Sequence, residues 1–318
     1  VASPTLAPDS LSAGCEAAFR EQRLHLWGIL YRLTGCAADA DELVQETFVR
    51  ALEHPPSDLS RDLKPWLVRV AVNLGRDCLR RRRRGGYVGP WIPSPIPTAE
   101  EPVSHEVVAD HGMSTEGRYD LIESVSLAFL LALEALSPQQ RAVLLLRDVF
   151  DYSVRQTAEA LGLSDANVKT THHRARHAMR AYDVNRRRPT AELTARTKLA
   201  LERFVDALAG EDISRLEALL AQDAREMSDG GGEYVAARRP ILGRDRIARY
   251  FFGIRPPRDR AIAVEMRCLN GLPALDIRLP TDDSRFASRV ILCCDVDADG
   301  AITSIYTVLA SRKLSACA

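Results

Sequence analysis

The stretch SVRQTAEALGLSDANVKTTHHRARHAM, Ser153–Met179, carries the signals that decide the fold of the first half of the chain. Ser153 followed by Gln156 suits a capping box. Thr157, Ala158, Ala160 and Leu161 continue at helical spacing, and Gly162 breaks the run. Ser164 is a good N-cap for a second helix, which sets Val168, His172, Ala175, Met179 and Tyr182 on one stripe. Helix, short glycine-containing turn, helix is the arrangement of a helix-turn-helix. The second helix presents Asp165, Ala166, Asn167, Lys169, Thr170 and His173 near its start, the end that enters a major groove in such motifs.

Upstream lie two more amphipathic patterns. Asp39 and Glu42 suit another capping box, followed by an apolar stripe of Leu43, Val44, Phe48, Ala51 and Leu52. Asp41, Glu42, Gln45, Glu46 and Arg50 lie mostly off that stripe. Trp66, Leu67, Val70, Ala71, Leu74 and Cys78 form the next stripe, opposite Arg69, Asn73, Arg76 and Arg80. This helix runs into Arg80–Arg84, five consecutive guanidinium groups.

The 318 residues are 46% hydrophobic and 27% charged, a globular balance. With 43 basic and 43 acidic side chains the net charge is zero, but the charges are segregated. Residues 61–90 carry net +7, residues 98–124 net −6 and residues 164–188 net +5, whereas the part from 190 onward is balanced at 19 of each sign. Basic clusters separated by an acidic stretch fit a partner with a line of phosphates, although arginine runs also serve as plain solvated faces. The longest apolar stretch, Val125–Leu136, is too short to span a bilayer and contains Glu134, so no membrane association is expected. The opening residues carry no signal-peptide pattern. Seven cysteines without a C-x-x-C pair read as free thiols of a cytoplasmic protein. No Cys/His cluster has ligand spacing, so neither a metal nor a cofactor is expected.

The chain therefore reads as multidomain. Residues 1–14 are expected to be a flexible tail, 15–85 a helical domain, 86–119 a linker with five prolines and the acidic run, and 120–185 a second helical domain. Residues 190–318 begin with helices near Ala191–Ala209 and Ile213–Ala221. Strands follow near Arg225–Ser228, Tyr234–Leu242, Ala261–Cys268, Ala274–Leu279, Arg289–Val296 and Ile302–Leu309, with a short helix at Arg244–Phe252. Asp229–Glu233, with three glycines, must turn, and Asp297–Gly300 suits a hairpin. Helices followed by a mostly antiparallel sheet indicate an α+β domain.

These residues resemble a known family. DADELVQETFVRAL at Asp39–Leu52 is similar to the second-region helix of sigma-70 factors of the extracytoplasmic-function group. Pro65-Trp66-Leu67, Val70-Ala71, Asn73, Asp77 and Arg80-Arg81 resemble the segment that melts and reads the −10 element. LSPQQRAVL at Leu136–Leu144, together with the helix-turn-helix, resembles the fourth region, which reads the −35 element. The resemblance implies two all-α sigma domains and a factor that is not itself an enzyme. It implies that Asp41, Glu42, Gln45, Glu46 and Arg50 dock on the clamp helices of the β′ subunit of RNA polymerase, in a core of β and β′ subunits. Trp66, Asn73, Arg76, Asp77, Arg80 and Arg81 would handle −10 DNA, and Lys169, Thr170, His173, Arg174 and Arg176 would read or clamp −35 DNA. His172 falls where relatives carry Leu, which implies a packed histidine.

The C-terminal part resembles a SnoaL-like cone. Trp91-Ile-Pro93-Ser-Pro95 is similar to the Trp-Leu-Pro-Glu-Pro linker motif of a sigma subgroup with such an extension. Asp229-Gly230-Gly231-Gly232-Glu233 is similar to that subgroup's Asp-Gly-Gly-Gly-Lys, with the last charge reversed. The subgroup's Asn-Pro-Asp-Lys-Leu survives as Ala310-Ser-Arg-Lys313-Leu314. The resemblance implies a built-in regulator in place of a separate anti-sigma protein. It acts through intramolecular contacts, with Trp91 and its prolines against the 229–233 loop. Two other readings of this part stand beside it, a small-molecule sensor and a cone-fold enzyme. Asp229, Asp276 and Glu265 are the carboxylates available to an enzyme, but sequence places no matched acid–base pair.

Overall fold

The computed structural model describes residues 8–56, 62–98, 118–254 and 262–317. The chain divides into two compact units.

The first unit is all-helical. α1 (Pro8–Thr34), α2 (Ala37–Glu53) and α3 (Lys64–Arg84) pack on one another. α1 begins at Pro8, inside the stretch expected to be a tail. Proline suits the first helical turn, and the alanine-rich run after it favours helix. The corner between α1 and α2 is two residues long. Gly35 takes φ 72°, and the Thr34 hydroxyl accepts from the Cys36 amide at 3.2 Å. α2 therefore starts at Ala37 with Cys36 as N-cap, and Asp39 does not cap it as the sequence suggested. Leu43, Val44, Phe48 and Ala51 are buried as expected, whereas Leu52 is exposed.

α4 (Leu127–Ala132), α5 (Pro138–Asp148), α6 (Val154–Leu161), α7 (Asp165–Ala178) and α8 (Arg180–Val184) complete this unit. Capping boxes start α5 at Ser137/Gln140 and α6 at Ser153/Gln156. Gly162, at φ 64°, ends α6 in the left-handed region, and Ser164 accepts from the Asn167 amide to start α7. α1 and α3 also pack against α5, and α3 against α6, so the two helical halves form one body.

The second unit contains α9 (Ala191–Ala209), α10 (Ile213–Leu219), α11 (Arg244–Gly253), the short α12 (Ser311–Leu314) and six strands. The strands are β1 (Leu220–Asp229), β2 (Ile241–Leu242), β3 (Ala263–Leu269), β4 (Leu272–Arg278), β5 (Arg289–Val296) and β6 (Ile302–Val308). They form one sheet in the order β2-β1-β6-β5-β4-β3, antiparallel except for the parallel pair β1/β6. Leu201, Phe204, Leu216, Ile247, Phe251, Leu275 and Ile305 fill the space between sheet and helices, with Phe204 edge-on to Phe251 at 5.1 Å. The strand expected over 234–242 is confined to Ile241–Leu242. Pro240 cannot donate to a ladder, and the Val235 amide bonds instead to the Arg285 carbonyl at 2.9 Å.

Residues 85–98, read from sequence as linker, belong to this second unit. Ile96 and Asn270 exchange hydrogen bonds, and the Thr98 amide donates to the Cys268 carbonyl at 3.0 Å.

Candidate nucleic-acid interface and linker anchor

The start of α7 is open to solvent: Lys169, Thr170, His173 and Arg174 are all exposed. Arg176 differs. Its guanidinium grips Asp148 with both nitrogens, Nε to Oδ2 at 2.9 Å and a terminal nitrogen to Oδ1 at 2.6 Å. His172 Nε2 meets the same Oδ1 at 2.8 Å. Asp148 is 1% exposed. Burial pushes its carboxyl up, but His172 and Arg176 outweigh that and hold it below the usual range. Arg176 thus ties α7 to the end of α5, where sequence reasoning assigned it only to DNA. His172 is packed, as expected, and hydrogen-bonded as well.

On α2 the side chains of Asp41, Glu42, Gln45 and Arg50 are exposed, with Glu46 half-buried and paired with Arg50 at 2.8 Å. On α3, Trp66 and Asn73 are half-buried, and Asp77, Arg80 and Arg81 are exposed, with Asp77 and Arg80 paired at 2.7 Å. Arg76 departs from a DNA-facing position. It is 8% exposed, one terminal nitrogen bonds Asn73 Oδ1 at 3.2 Å, and its Nε has no partner. Burial lowers its pKa, with Arg80 adding to the effect.

The next arginines along α3 turn toward the other helical half. Arg82 donates to the Thr34 carbonyl at 2.8 Å and clasps Glu134 at 2.7 and 2.8 Å; Arg83 donates to the Leu136 carbonyl. Arg141, 1% exposed, donates to the carbonyls of Leu33 and Leu133 and to Glu134. Arg32, equally buried, donates to Ser124 Oγ at 2.7 Å and to the carbonyls of Gly28 and Leu121. Burial pulls the guanidinium pKa of Arg32 and of Arg141 down to about 10.

The loop after β1 forms a second constellation. Asp229, 0% exposed, accepts from the Tyr87 hydroxyl at 2.6 Å, the Ile92 amide at 2.7 Å, the Gly231 amide at 3.0 Å and the Lys313 ammonium. Lys313, 4% exposed, also donates to the Ile92 carbonyl. Its Nζ lies 4.3 Å from the Trp91 ring centre and 4.8 Å from that of Tyr87, a desolvated cation–π arrangement. Pro93 and Pro95 are buried, and the Cys317 thiol donates to the Pro95 carbonyl at 3.2 Å. Gly231, at φ 61°, has no room for a side chain, because a Cβ would sit 2.8 Å from that of Ala310. Gly230 and Gly232 complete the turn, and Glu233 accepts from the Ser311 amide at 3.0 Å. Sequence reasoning paired Trp91 with this loop. The structure places Trp91 on Lys313, and of the linker residues it is Tyr87 and Val88 that come beside Gly231 and Gly232.

Among the carboxylates considered for catalysis, Asp229 is neutralised as described. Asp276 is clasped by Arg289 and Arg267, which hold it below the usual range, and Glu265 is exposed. Sequence reasoning missed Glu226. It is 0% exposed on β1, accepts from the Ser228 hydroxyl, and has the Thr307 side chain beside it. Burial pushes its carboxyl up to about 7. A charged residue inside an alternating strand was the available signal. Among the described residues no group of His, Cys, Asp and Glu side chains is placed to hold a metal, and no helix is long and apolar enough to cross a membrane.

Two helical halves carrying a basic helix and a helix-turn-helix define a transcription factor of the sigma-70 type. Sigma-70 region 2 matches residues 18–85, and Sigma-70, region 4 matches residues 126–179. The extracytoplasmic-function RNA polymerase sigma factor SigL of Mycobacterium tuberculosis is 32% identical over 182 residues, 55% of this chain and 94% of that protein. SigJ of the same organism is 29% identical over 305 residues, 93% of this chain and 92% of that protein. The crystal structure of SigJ superposes with a TM-score of 0.66 at 25% identity, covering 95% of this chain and 98% of that one. The chain belongs to the extracytoplasmic-function sigma factors, and its C-terminal unit is a SnoaL-like α+β cone.

Proposed function

We propose that this sigma factor binds core RNA polymerase and directs it to promoters, and that its cone regulates it by holding the linker. In this reading the exposed face of α2 docks on the β′ clamp helices, α3 serves the −10 element and α7 the −35 element, in the cytoplasm where the polymerase works. Exposure of Asp41, Glu42, Gln45 and Arg50 on α2 and of Lys169, Thr170, His173 and Arg174 on α7 supports these roles. Arg76 supports α3 from within, and Arg176 acts by fixing the angle of α7 through Asp148.

One observation carries the regulatory reading. Asp229 and Lys313 hold Tyr87 and Ile92, immediately after the basic end of α3. A tethered domain acts at high effective concentration, so contacts of modest strength suffice to bias its neighbours. The packed state of the two helical halves, with Arg82 and Arg83 engaged on the second half, is the resting state in this reading. Opening would free those arginines for the phosphates of promoter DNA.

The test is transcription in vitro with bacterial core polymerase on a genomic fragment library, with transcript 5′ ends mapped. The intact chain should create start sites that share an upstream sequence. Trp91→Ala and Lys313→Met should change output from those sites several-fold at matched protein levels. Output unchanged in both variants removes the regulatory reading, and an absence of chain-dependent starts removes the promoter reading.

A further inference from the structure

We propose that the cone binds a small organic carboxylate in the cavity beside the glycine loop, with Arg238 as the group that holds its charge. The cavity has a volume of about 280 Å³ and lies within the second unit, between Val88 of the linker, the 230–238 segment and Arg285. That is near the lower end of small-molecule sites, and it suits an acid built on a single ring.

The chemistry follows from which polar groups are already committed. Arg285 pairs with Asp283 at 2.7 Å, and Glu233 accepts from the Ser311 amide. Arg238, exposed at the rim, has no hydrogen bond or ion pair among the described residues. A guanidinium presents a planar fork of donors that matches a carboxylate in two parallel hydrogen bonds. With Arg285 offset by Asp283 and Glu233 adding a negative charge to the lining, Arg238 can hold a monoanion, whereas a phosphate dianion meets more repulsion than one guanidinium offsets. Val88, Val235 and Tyr234 flank the space and provide contact for an apolar body.

Ser228 lines the cavity as well, and it links the cavity to the buried acid. Its hydroxyl donates to Glu226 and lies 3.3 Å from the Tyr250 hydroxyl. Glu226 is fully buried behind Ser228, outside the cavity lining, with Ser228 and Thr307 both acting on its carboxyl. A ligand with its carboxylate at Arg238 and its ring toward Ser228 would use both ends of the cavity.

The experiment uses the full chain with benzoate, its neutral isostere benzamide, and inorganic phosphate, followed by saturation-transfer NMR and calorimetry. Benzoate is expected to bind with a Kd of about 1 mM or tighter, as a fragment of its size can. Benzamide and phosphate should bind at least about tenfold more weakly. Arg238→Ala should weaken benzoate by about tenfold, and Arg238→Lys should restore part of the loss, because a lysine supplies charge without the fork. Arg238 is exposed, so these variants keep the fold. Failure of benzoate to bind would overturn the proposal, as would affinity unchanged in Arg238→Ala or phosphate binding as tightly as benzoate. The readout is binding alone, so the outcome does not depend on whether the cone regulates transcription.

Discussion

One joint in each unit uses buried charge to satisfy unpaired backbone, and the sign of that charge differs between them. In the helical unit the groups sunk between the two halves are arginines: Arg32 and Arg141 at 1% exposure, with Arg82 beside them. At the linker anchor of the cone it is a carboxylate, Asp229 at 0%, with Lys313 at 4% as its partner. The difference follows from which backbone groups each architecture leaves unpaired. A helix ends in carbonyls without partners and with a negative dipole. The joint between the halves collects such ends, and Arg82 and Arg141 donate to Thr34 and Leu33, the last two residues of α1. A chain laid along a turn instead offers amide hydrogens, and Asp229 accepts those of Ile92 and Gly231.

The largest effect should come from breaking the carboxylate side of this contrast. Asp229→Ala strips an acceptor from four donors and leaves the Lys313 ammonium buried without its partner. It should cost about 3–5 kcal/mol in chemical denaturation of the full chain. A cost below about 1 kcal/mol would mean that the anchor is not formed in solution. Next is Arg141→Met, which keeps volume but leaves two carbonyls and Glu134 without its donors. The expected cost is about 2–3 kcal/mol, somewhat less because Glu134 is partly solvated and keeps Arg82. Fluorophores on α2 and α7 should report separation of the helical halves at lower urea than in the parent.

Glu226→Gln sharpens the comparison through its pH dependence. The folded-state carboxyl titrates at about 7 against an ordinary 4.5. The unfolded chain therefore binds fewer protons across that interval, so stability falls as pH rises through it. Gln has the same shape and cannot ionise. The variant should melt like the parent at pH 5 and gain on the order of 2 kcal/mol at pH 8. A difference that is constant with pH would show that Glu226 does not titrate in this range.

The features legible in the sequence are those whose causes lie within a few residues. Ser153 and Gln156, Gly162 and Ser164 are partners or neighbours along the chain, and the helix-turn-helix they delimit is as read. The bounds of α9 follow likewise from Thr190 capping at one end and Gly210 at the other. The Asp39 cap failed because Gly35 and Thr34 had already turned the chain three residues earlier. Most of what the sequence did not reveal depends on distant partners. Asp148 meets Arg176 across 28 positions, Arg82 meets Glu134 across 52, and Asp229 meets Lys313 across 84. The family motifs pointed to the linker, the glycine loop and Lys313, but not to Tyr87 or to the clasp that Lys313 makes on Asp229. Arg76 looked like a surface arginine because a helical stripe does not show how deeply a neighbouring half will cover it.

The separation between Ile92 and Lys313 also matters during synthesis. The two are 221 residues apart, and ribosomes add roughly 5–20 residues per second, so the clasp cannot close until about ten to forty seconds after Ile92 is made. Every nascent chain thus passes through an interval in which both helical halves exist and Asp229 still lacks its lysine. A polymerase that captured the chain co-translationally would meet it before the linker anchor had been completed.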